Sequence, residues 1–370
     1  MADILLENAV KTYNGGKVTA VNRLTISCKN REFVSILGPS GAGKTSTLKM
    51  IAGIERIDEG RLLIDGKDMT DAPSQARNVS MVFEGYALYP HMTVRENLAF
   101  PLEAPARGVK LSKQELNEKV EEWARIVGME ELLERKPSQL SGGQRQRVSL
   151  ARALVRAAEP NVILMDEPIA HLDAKLRNNM RAELKRLHKD LGATILYVTH
   201  DYTEAMAMSD RIVVINNGHL MQEGTPKEIY ENPFNEFVAS TVGEPPMNFF
   251  EGEAMVEDGE CVFTYRGERI SLPQDVAMKG KVDLGIRPAE LCVYREMPTG
   301  RSFRGTVRQI LPMGAKQIME VDVAGKMVLA KANRDFTYTC GDMVFLKPFA
   351  GKIYLFDCET KARVGVVKGE

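Results

Sequence analysis

A phosphate-binding loop is the clearest chemical signal in the sequence. Residues 38–45 read GPSGAGKT, with the spacing G-x-x-x-x-G-K-[ST], and lie between the apolar run FVSIL and a helical pattern. Glycine lets backbone N–H groups close around phosphate oxygens, and the following helix start adds a positive dipole. Lys44 can reach the outer phosphates and Thr45 can ligate magnesium. A tight structural turn is the simpler alternative, which the flanking strand and helix disfavour. The candidate contacts are Ser40, Gly41, Ala42, Gly43, Lys44, Thr45 and Ser46.

Hydrolysis needs a metal carboxylate and a group that activates water, and two adjacent acids offer both. Asp166 and Glu167 follow the apolar run VILM at a predicted strand end. Because side chains alternate along a strand, we expect Asp166 to face magnesium and Glu167 an attacking water. Alone, such a pair is typical of a solvated loop. The run ATILYVTH ends similarly on His200, which can hydrogen-bond the terminal phosphate, although a lone histidine there is more often structural.

A second candidate anion site is the segment LSGGQ, residues 140–144, which precedes an amphipathic helical pattern. A serine and two glycines at a helix start present backbone N–H groups to an anion. The candidate contacts are Ser141, Gly142, Gly143 and Gln144. The spacing alone does not say whether this site serves the same nucleotide as the phosphate loop.

The elements that must position these residues belong to two predicted domains. Up to residue 235, short apolar runs alternate with long helical patterns, which predicts an α/β domain with a parallel or mixed sheet and a helical insertion at about 86–153. Near Glu244 the segment VGEPPMNFF predicts a joint, and short glycine-punctuated β-like runs follow. We therefore expect a second, all-β, barrel-like domain over residues 236–370.

Composition limits the classes of function. The chain has 370 residues, 44% of them hydrophobic, which predicts two or three domains. A net charge of -1 gives no global attraction to nucleic acid or to an anionic bilayer. The five cysteines are scattered and contain no C-x-x-C pair, which argues against disulfides or zinc and favours a reducing compartment. No stretch approaches the length needed to span a bilayer, so we expect any membrane role to go through a partner.

The segments GPSGAGKT, LSGGQ and LMDEP and the closing histidine, in this order, resemble the ATPase subunit of ABC transporters. The resemblance implies an α/β P-loop nucleotide-binding domain of the ABC ATPase type, with a helical subdomain, that binds ATP and Mg²⁺. It also implies a dimer, in which the signature loop LSGGQ of one subunit caps ATP held by the phosphate loop of the other. Tyr13, in KTYNGG, then stacks on adenine, and Asp173, in LDA, is the acid of the loop that links the two sites.

The C-terminal part of the sequence narrows the resemblance to one group of ABC transporter ATPases. The segment LGIRPAEL, residues 284–291, is similar to the C-terminal regulatory domain, OB-like in fold, of importer ATPases of the maltose and glycerol-3-phosphate type. This similarity implies uptake of a sugar, polyol or related solute, with the chain peripheral to the cytoplasmic side of a bacterial or archaeal inner membrane. The implied partners are two transmembrane permease subunits, a second ATPase subunit that is either the same chain or a different one, and, indirectly, a solute-binding protein.

Two residues depart from this family pattern. Glu84 occupies a position that normally holds a glutamine whose amide oxygen meets magnesium, and His171 occupies a position that normally holds asparagine. A carboxylate can still ligate a hard cation. At about 4 Å from another negative charge, however, it costs roughly 1 kcal/mol in water-like surroundings and about 4 kcal/mol at an effective dielectric of 20. We expect Glu84 to act at the metal and catalytic site and to slow hydrolysis; the alternative is a tolerated substitution.

Two other functions stay open. A weakly or non-hydrolysing regulatory subunit, paired with a different ATPase subunit, is suggested by Glu84 and His171, whereas Lys44, Asp166 and Glu167 favour catalysis. A soluble ABC ATPase that acts on nucleic acid would share both loops. Such proteins usually carry long coiled-coil insertions or a second cassette, which the sequence does not show, and the near-neutral charge gives no phosphate-binding stripe. We therefore expect no nucleic-acid partner.

Overall fold

The computed structural model of the chain divides into two compact units, Met1–Lys227 and Glu228–Glu370. It describes residues 3–83, 88–103, 111–155, 162–170, 172–257, 260–272, 280–314, 316–333, 337–349 and 351–364. No helix in these ranges is both long and apolar enough to cross a membrane.

The described residues of the first unit form two sheets. Its strands are β1 (Ile4–Tyr13), β2 (Val18–Cys28), β3 (Phe33–Leu37), β4 (Glu59–Ile64), β5 (Lys67–Asp68), β6 (Val79–Val82), β7 (Val162–Asp166), β8 (Thr194–Thr199), β9 (Arg211–Asn216) and β10 (His219–Gly224). Within the described residues, the larger sheet has the order β10-β9-β3-β8-β7-β6, parallel except for β10. The smaller sheet, β2-β1-β4-β5, is antiparallel. Strands β3, β7 and β8 are buried along their whole length, which explains their continuous apolar runs.

The helices of this unit follow sequence signals for their ends. They are α1 (Lys44–Ala52), α2 (Val94–Glu103), α3 (Lys113–Ile126), α4 (Gly142–Leu154), α5 (Ala174–Leu191) and α6 (Tyr202–Met208). Helix α3 begins with a capping box in which Ser112 and Glu115 bond each other's backbone N–H groups. Helix α1 ends at Gly53, whose φ of 74° lies in the left-handed region that glycine enters without strain.

Two hydrophobic clusters cover the faces of the larger sheet. One joins Val162 and Leu164 of β7 to Leu48 of α1 and to the smaller sheet. The other joins Ile163 and Met165 to helices α2, α3 and α4. Because side chains alternate along a strand, Asp166 continues the face of Val162 and Leu164, the face that α1 covers.

The second unit is rich in strands, as expected for the C-terminal part. Its strands are β11 (Asn248–Glu257), β12 (Glu260–Tyr265), β13 (Glu268–Ser271), β14 (Gly280–Ile286), β15 (Leu291–Tyr294), β16 (Phe303–Met313), β17 (Lys316–Val323), β18 (Lys326–Asn333), β19 (Met343–Pro348) and β20 (Tyr354–Asp357). In the described part of this unit they form two five-stranded antiparallel sheets, β13-β12-β11-β14-β20 and β15-β19-β16-β17-β18. The rings of Phe250 and Phe303 pack at 4.7 Å in the shared core.

The division between the units, at 227/228, falls within the first of two short helices that precede the strands of the second unit, and the domain boundary at 235/236 stays a prediction. These helices are α7 (Pro226–Glu231) and α8 (Glu236–Thr241). The guanidinium of Arg287, whose residue is only 2% exposed, donates to the carbonyl oxygens of Tyr230 and Val242. It also lies 3.9 Å from the centre of the Tyr230 ring, a cation–π contact. The buried Arg287 thus binds the C-terminal ends of both α7 and α8.

Two carboxylates and one lysine also join α8 to this domain. Lys361 Nζ donates to Asp283 Oδ2 at 2.5 Å and lies 3.7 Å from Glu236 Oε1. Glu236 Oε1 and Asp283 Oδ1 are buried without a hydrogen-bond partner among the described residues. Burial, together with the negative charge of the neighbouring Asp283 carboxylate, raises the pKa of Glu236 to about 7, although the charge of Lys361 opposes this shift.

We predict that Glu236 makes stability fall as pH rises. Since its folded pKa is raised above the ordinary 4.5, its stabilisation is fully present below about 4.5 and lost as pH rises through about 7. Across this window we expect Glu236→Gln, which cannot titrate, to abolish about 1–2 kcal/mol of pH dependence, after discounting for solvent screening. Thermal unfolding of the full chain at a series of pH values measures this, with the exposed Glu253→Gln as control. Equal pH dependence in all three chains would contradict the prediction.

Candidate active site

The phosphate loop connects β3 to α1 through backbone that glycine alone adopts easily. Gly41 and Gly43 have φ values of 81° and 99°. A Cβ at Gly43 would also overlap the carbonyl oxygen of Ala20. Lys44, 6% exposed, folds back over the loop, and its Nζ donates to Gly38 O at 2.9 Å and Pro39 O at 3.0 Å. A buried cation therefore lies inside a curved run of backbone.

Asp166 and Thr45 meet where β7 ends against the start of α1. The Thr45 hydroxyl donates to Asp166 Oδ1 at 3.0 Å, and Asp166 is 4% exposed. This contact follows from strand alternation, because Asp166 continues the face of β7 that α1 covers. A hydroxyl and a carboxylate oxygen are the ligand types that Mg²⁺ takes beside substrate phosphates, so these two side chains fit that ion.

Glu167 lies between a lysine and a histidine. Its Oε1 is 3.7 Å from Lys44 Nζ, and its Oε2 is 2.7 Å from His200 Nδ1. Its φ of 46° is left-handed, a conformation that costs of order 1–3 kcal/mol in a residue other than glycine. The Glu167 N–H still donates to Val198 O at 3.0 Å, so β8 holds the strained turn in place. Left-handed backbone in a non-glycine residue is often found at functional sites.

Five predicted site residues thus come together at one edge of the sheet. They are Lys44, Thr45, Asp166, Glu167 and His200. In parallel sheets, ligands bind beyond the carboxyl ends of the strands, where this cluster lies. The cluster combines backbone N–H donors, a cation, a carboxylate within reach of water, and a side chain that is 56% exposed, His200. Such a set can orient water against a phosphoryl group and stabilise the developing charge.

The remaining predicted contacts lie on other elements. Tyr13, at the end of β1, donates its hydroxyl to Ser46 Oγ at 3.2 Å, so its ring lies beside α1. Ser141 caps α4, and its Oγ accepts from the Gln144 N–H at 3.3 Å, so Gly142 and Gly143 form the first turn of that helix. Asp173 caps α5 by accepting from Leu176 N at 2.9 Å. Glu84 and His171 lie outside the described residues.

The structure adds a group that the sequence analysis missed. Tyr197 and Thr199 of β8 both donate their hydroxyls to Glu204 Oε2 at 2.8 Å. Asp201, which follows His200, accepts from the Thr203 N–H at 2.7 Å and from Arg181 at 2.9 Å. Burial raises the pKa of Tyr197, and the charge of Glu204 raises it further. Although burial opposes it, hydrogen bonds from Thr203 and the charge of Arg181 lower the pKa of Asp201. The sequence HDYTE carries the signal of an aspartate N-cap.

Comparison with known proteins identifies the family. Residues 21–170 match the ABC transporter family, and residues 284–356 match the TOBE domain family. The chain is 42% identical to the trehalose/maltose import ATP-binding protein MalK of Thermococcus litoralis, over 97% of this chain and 99% of that protein. It is 40% identical to the oligosaccharides import ATP-binding protein MsmX of Bacillus subtilis, over 98% of this chain and 100% of that protein.

The chain therefore belongs to the ATP-binding proteins of ABC transporters and is an ABC-type ATPase, as its motifs predicted. Among solved structures it is similar to the ATP-binding cassette MJ0796, described as a dimer in a post-hydrolysis state bound to ADP and Pi. That match has a TM-score of 0.55 at 34% identity and covers 60% of this chain and 98% of that one. The predicted fold class, an ABC ATPase domain followed by an OB-like β-rich domain, is confirmed.

We predict that alanine is tolerated far worse at Gly43 than at Gly41. Both positions have left-handed backbone, so each substitution introduces strain of about 1–2 kcal/mol. Only at Gly43 does the new Cβ meet backbone, the Ala20 carbonyl, whereas nothing lies within 4 Å at Gly41. Gly43→Ala should lower the melting temperature and weaken ATP binding more than Gly41→Ala. Equal loss in the two variants would contradict the loop geometry described above.

Proposed function

We propose that this chain hydrolyses ATP at Glu167 and that the hydrolysis powers uptake of a sugar, polyol or related solute through a membrane ABC importer. One observation carries the catalytic part of the proposal: the Glu167 carboxylate lies between Lys44 and His200, beside the phosphate loop. The names of the relatives support the transported class, since two of them are import proteins for trehalose/maltose and for oligosaccharides.

Each side chain has a proposed task. The backbone N–H groups of residues 40–46 and the Lys44 ammonium bind the phosphates, and Tyr13 stacks on the adenine. Glu167 orients the attacking water and accepts its proton, while His200 holds the Glu167 carboxylate and meets the terminal phosphate. The buried position of Lys44 supports its role, because low dielectric strengthens its attraction to a polyphosphate.

Thr45, Asp166 and Glu84 are the proposed protein ligands of magnesium. The Thr45 hydroxyl and the Asp166 carboxylate already share a hydrogen bond of 3.0 Å, so both oxygens face one small region. When bound there, the ion would neutralise charge on the phosphate oxygens. In the structure described, the hydrogen bond to Asp166 holds the Thr45 hydroxyl beside that carboxylate.

We propose further that two ATPase subunits act together, with ATP between the phosphate loop of one and residues 141–144 of the other. The position of residues 142 and 143 in the first turn of α4 supports this, because the start of a helix favours an anion through its backbone N–H groups and its dipole. Asp173 belongs to the loop linking the two sites. Closure of the pair would drive two transmembrane permease subunits, supplied by a solute-binding protein, at the cytoplasmic side of a bacterial or archaeal membrane.

We predict that Glu167→Gln abolishes turnover and spares ATP binding. The amide cannot accept a proton from water, so we expect kcat to fall by at least about 100-fold, while the phosphate loop is unaltered. The measurement is magnesium-dependent ATP hydrolysis at increasing concentrations of the chain, with ATP binding followed separately. Turnover per chain should rise with concentration in the native protein, because two copies build each site.

Two outcomes would count against the proposal. A Glu167→Gln chain that turns over within a few-fold of the native chain would show that another group activates water. Native activity at the level of Glu167→Gln, despite ATP binding, would favour the regulatory alternative, in which this chain pairs with a different ATPase subunit. Addition of the permease pair then tests whether that contact restores turnover.

We predict that Glu84→Gln raises turnover. The family resemblance implies that residue 84 acts at the metal and catalytic site, so removal of its negative charge should lower the barrier by about 1.4 kcal/mol, which corresponds to about tenfold in kcat. The control is Glu103→Gln, an exposed glutamate of α2. An unchanged or lower kcat in Glu84→Gln would mean that the carboxylate is a tolerated substitute for the glutamine normal in the family.

A further inference from the structure

Arg177, on the first turns of α5, contacts the segments that follow both Glu167 and His200. Its guanidinium donates to the carbonyl oxygens of Ala170 at 3.0 Å and Leu172 at 3.2 Å. The same guanidinium lies 3.8 Å from Asp201 Oδ2. Ala170 N donates to Glu167 O at 3.3 Å, so the turn that leaves Glu167 is tied to the carbonyl that Arg177 holds.

Several hydrogen bonds hold the Asp201 carboxylate in place. Its contact with Arg177 therefore couples the position of the Arg177 guanidinium to the segment that carries His200. Its Oδ1 accepts from Thr203 N at 2.7 Å as the N-cap of α6, and its Oδ2 accepts from Arg181 at 2.9 Å. Arg181 lies one helical turn beyond Arg177 on the same face of α5. Two arginines of one helix therefore hold the carboxylate that directly follows His200.

We propose that Arg177 and Asp201 are positioning residues, which together set the distance between the Glu167 carboxylate and the His200 ring. The inference rests on the proposed catalytic role of Glu167 and adds a second restraint on the strained turn of that residue, beside the hydrogen bond from its N–H to Val198 O. Arg177 restrains the segment after Glu167, and Asp201 restrains the segment after His200. The ion pair between Arg177 and Asp201 connects the two segments, and we call this set of contacts the Arg177–Asp201 network. Neither side chain touches the phosphate loop in the described part of the site.

The Arg177–Asp201 network also includes contacts with Leu172 and Asp173, which belong to the loop proposed to link the two ATP sites. Asp173 caps α5, and its carbonyl oxygen accepts from Arg177 N at 2.8 Å. Leu172, which carries one of the carbonyls that Arg177 holds, precedes it directly. Movement of this loop would therefore move the Arg177 guanidinium and, through Asp201, the strand end that carries His200.

The test is steady-state ATP hydrolysis and separate ATP binding in Arg177→Gln, Arg177→Lys and Asp201→Asn chains. We expect Arg177→Gln to lower kcat at least about tenfold while KM and ATP affinity stay within about twofold, because the phosphate loop keeps its geometry. Arg177→Lys, which keeps the charge opposite Asp201, should recover part of kcat. The control is Arg186→Gln on the same helix, whose exposed side chain forms a local ion pair with Glu183.

A double variant separates positioning from general destabilisation. Because Arg177 and Asp201 act through the same ion pair, the double variant Arg177→Gln with Asp201→Asn should have a kcat no lower than that of the slower single variant. Losses of kcat that add fully, or that follow the melting temperature and ATP affinity, would overturn the inference. Glu167→Gln in the same series distinguishes the two proposals. If Glu167→Gln abolishes hydrolysis while Arg177→Gln keeps the native kcat, only the positioning role is wrong. If Glu167→Gln keeps the native kcat, the catalytic role of Glu167 is wrong.

Discussion

The parallel pairing of β3, β7 and β8 is the constraint on which the candidate site depends. Leu37 pairs with Thr199, and Asp166 pairs with Val198, so the three strands stop together. The residues that follow them are Gly38, Glu167 and His200. A slip of one residue in either ladder would turn every side chain of a strand to the opposite face and separate these groups. The buried apolar residues of the strands thus fix the chemistry indirectly, by fixing the register.

Burying opposite charges close together is tolerable here because each charge lies beside a hydrogen-bonding or oppositely charged group. Lys44 is surrounded by carbonyl oxygens as well as by Glu167, and Asp166 accepts a hydroxyl hydrogen bond. An isolated buried charge would cost several kcal/mol, and hydrogen bonds and an opposite charge offset part of that cost. The protein therefore keeps a cation and two carboxylates within one small region before any substrate arrives.

Motifs with fixed spacing could be interpreted from the sequence, and contacts between distant segments could not. The phosphate loop and the strand ends at Asp166 and His200 were predictable, because short-range spacing and apolar runs determine them. The contact between Arg177 and Asp201 joins different elements, and nothing in either local sequence specifies it. The contacts of Arg287 with Tyr230 and Val242 likewise join segments far apart in the sequence, so local spacing could not predict them.

The backbone at Glu167 has a consequence for protein engineering. Its left-handed φ of 46° would suit glycine or asparagine better than glutamate. A library screened only for a higher melting temperature would therefore enrich replacements at this position, since each relieves local strain. The variants with the highest melting temperatures would then lack the carboxylate beside Lys44. Such a screen would select against ATP hydrolysis, although hydrolysis is not the property being measured.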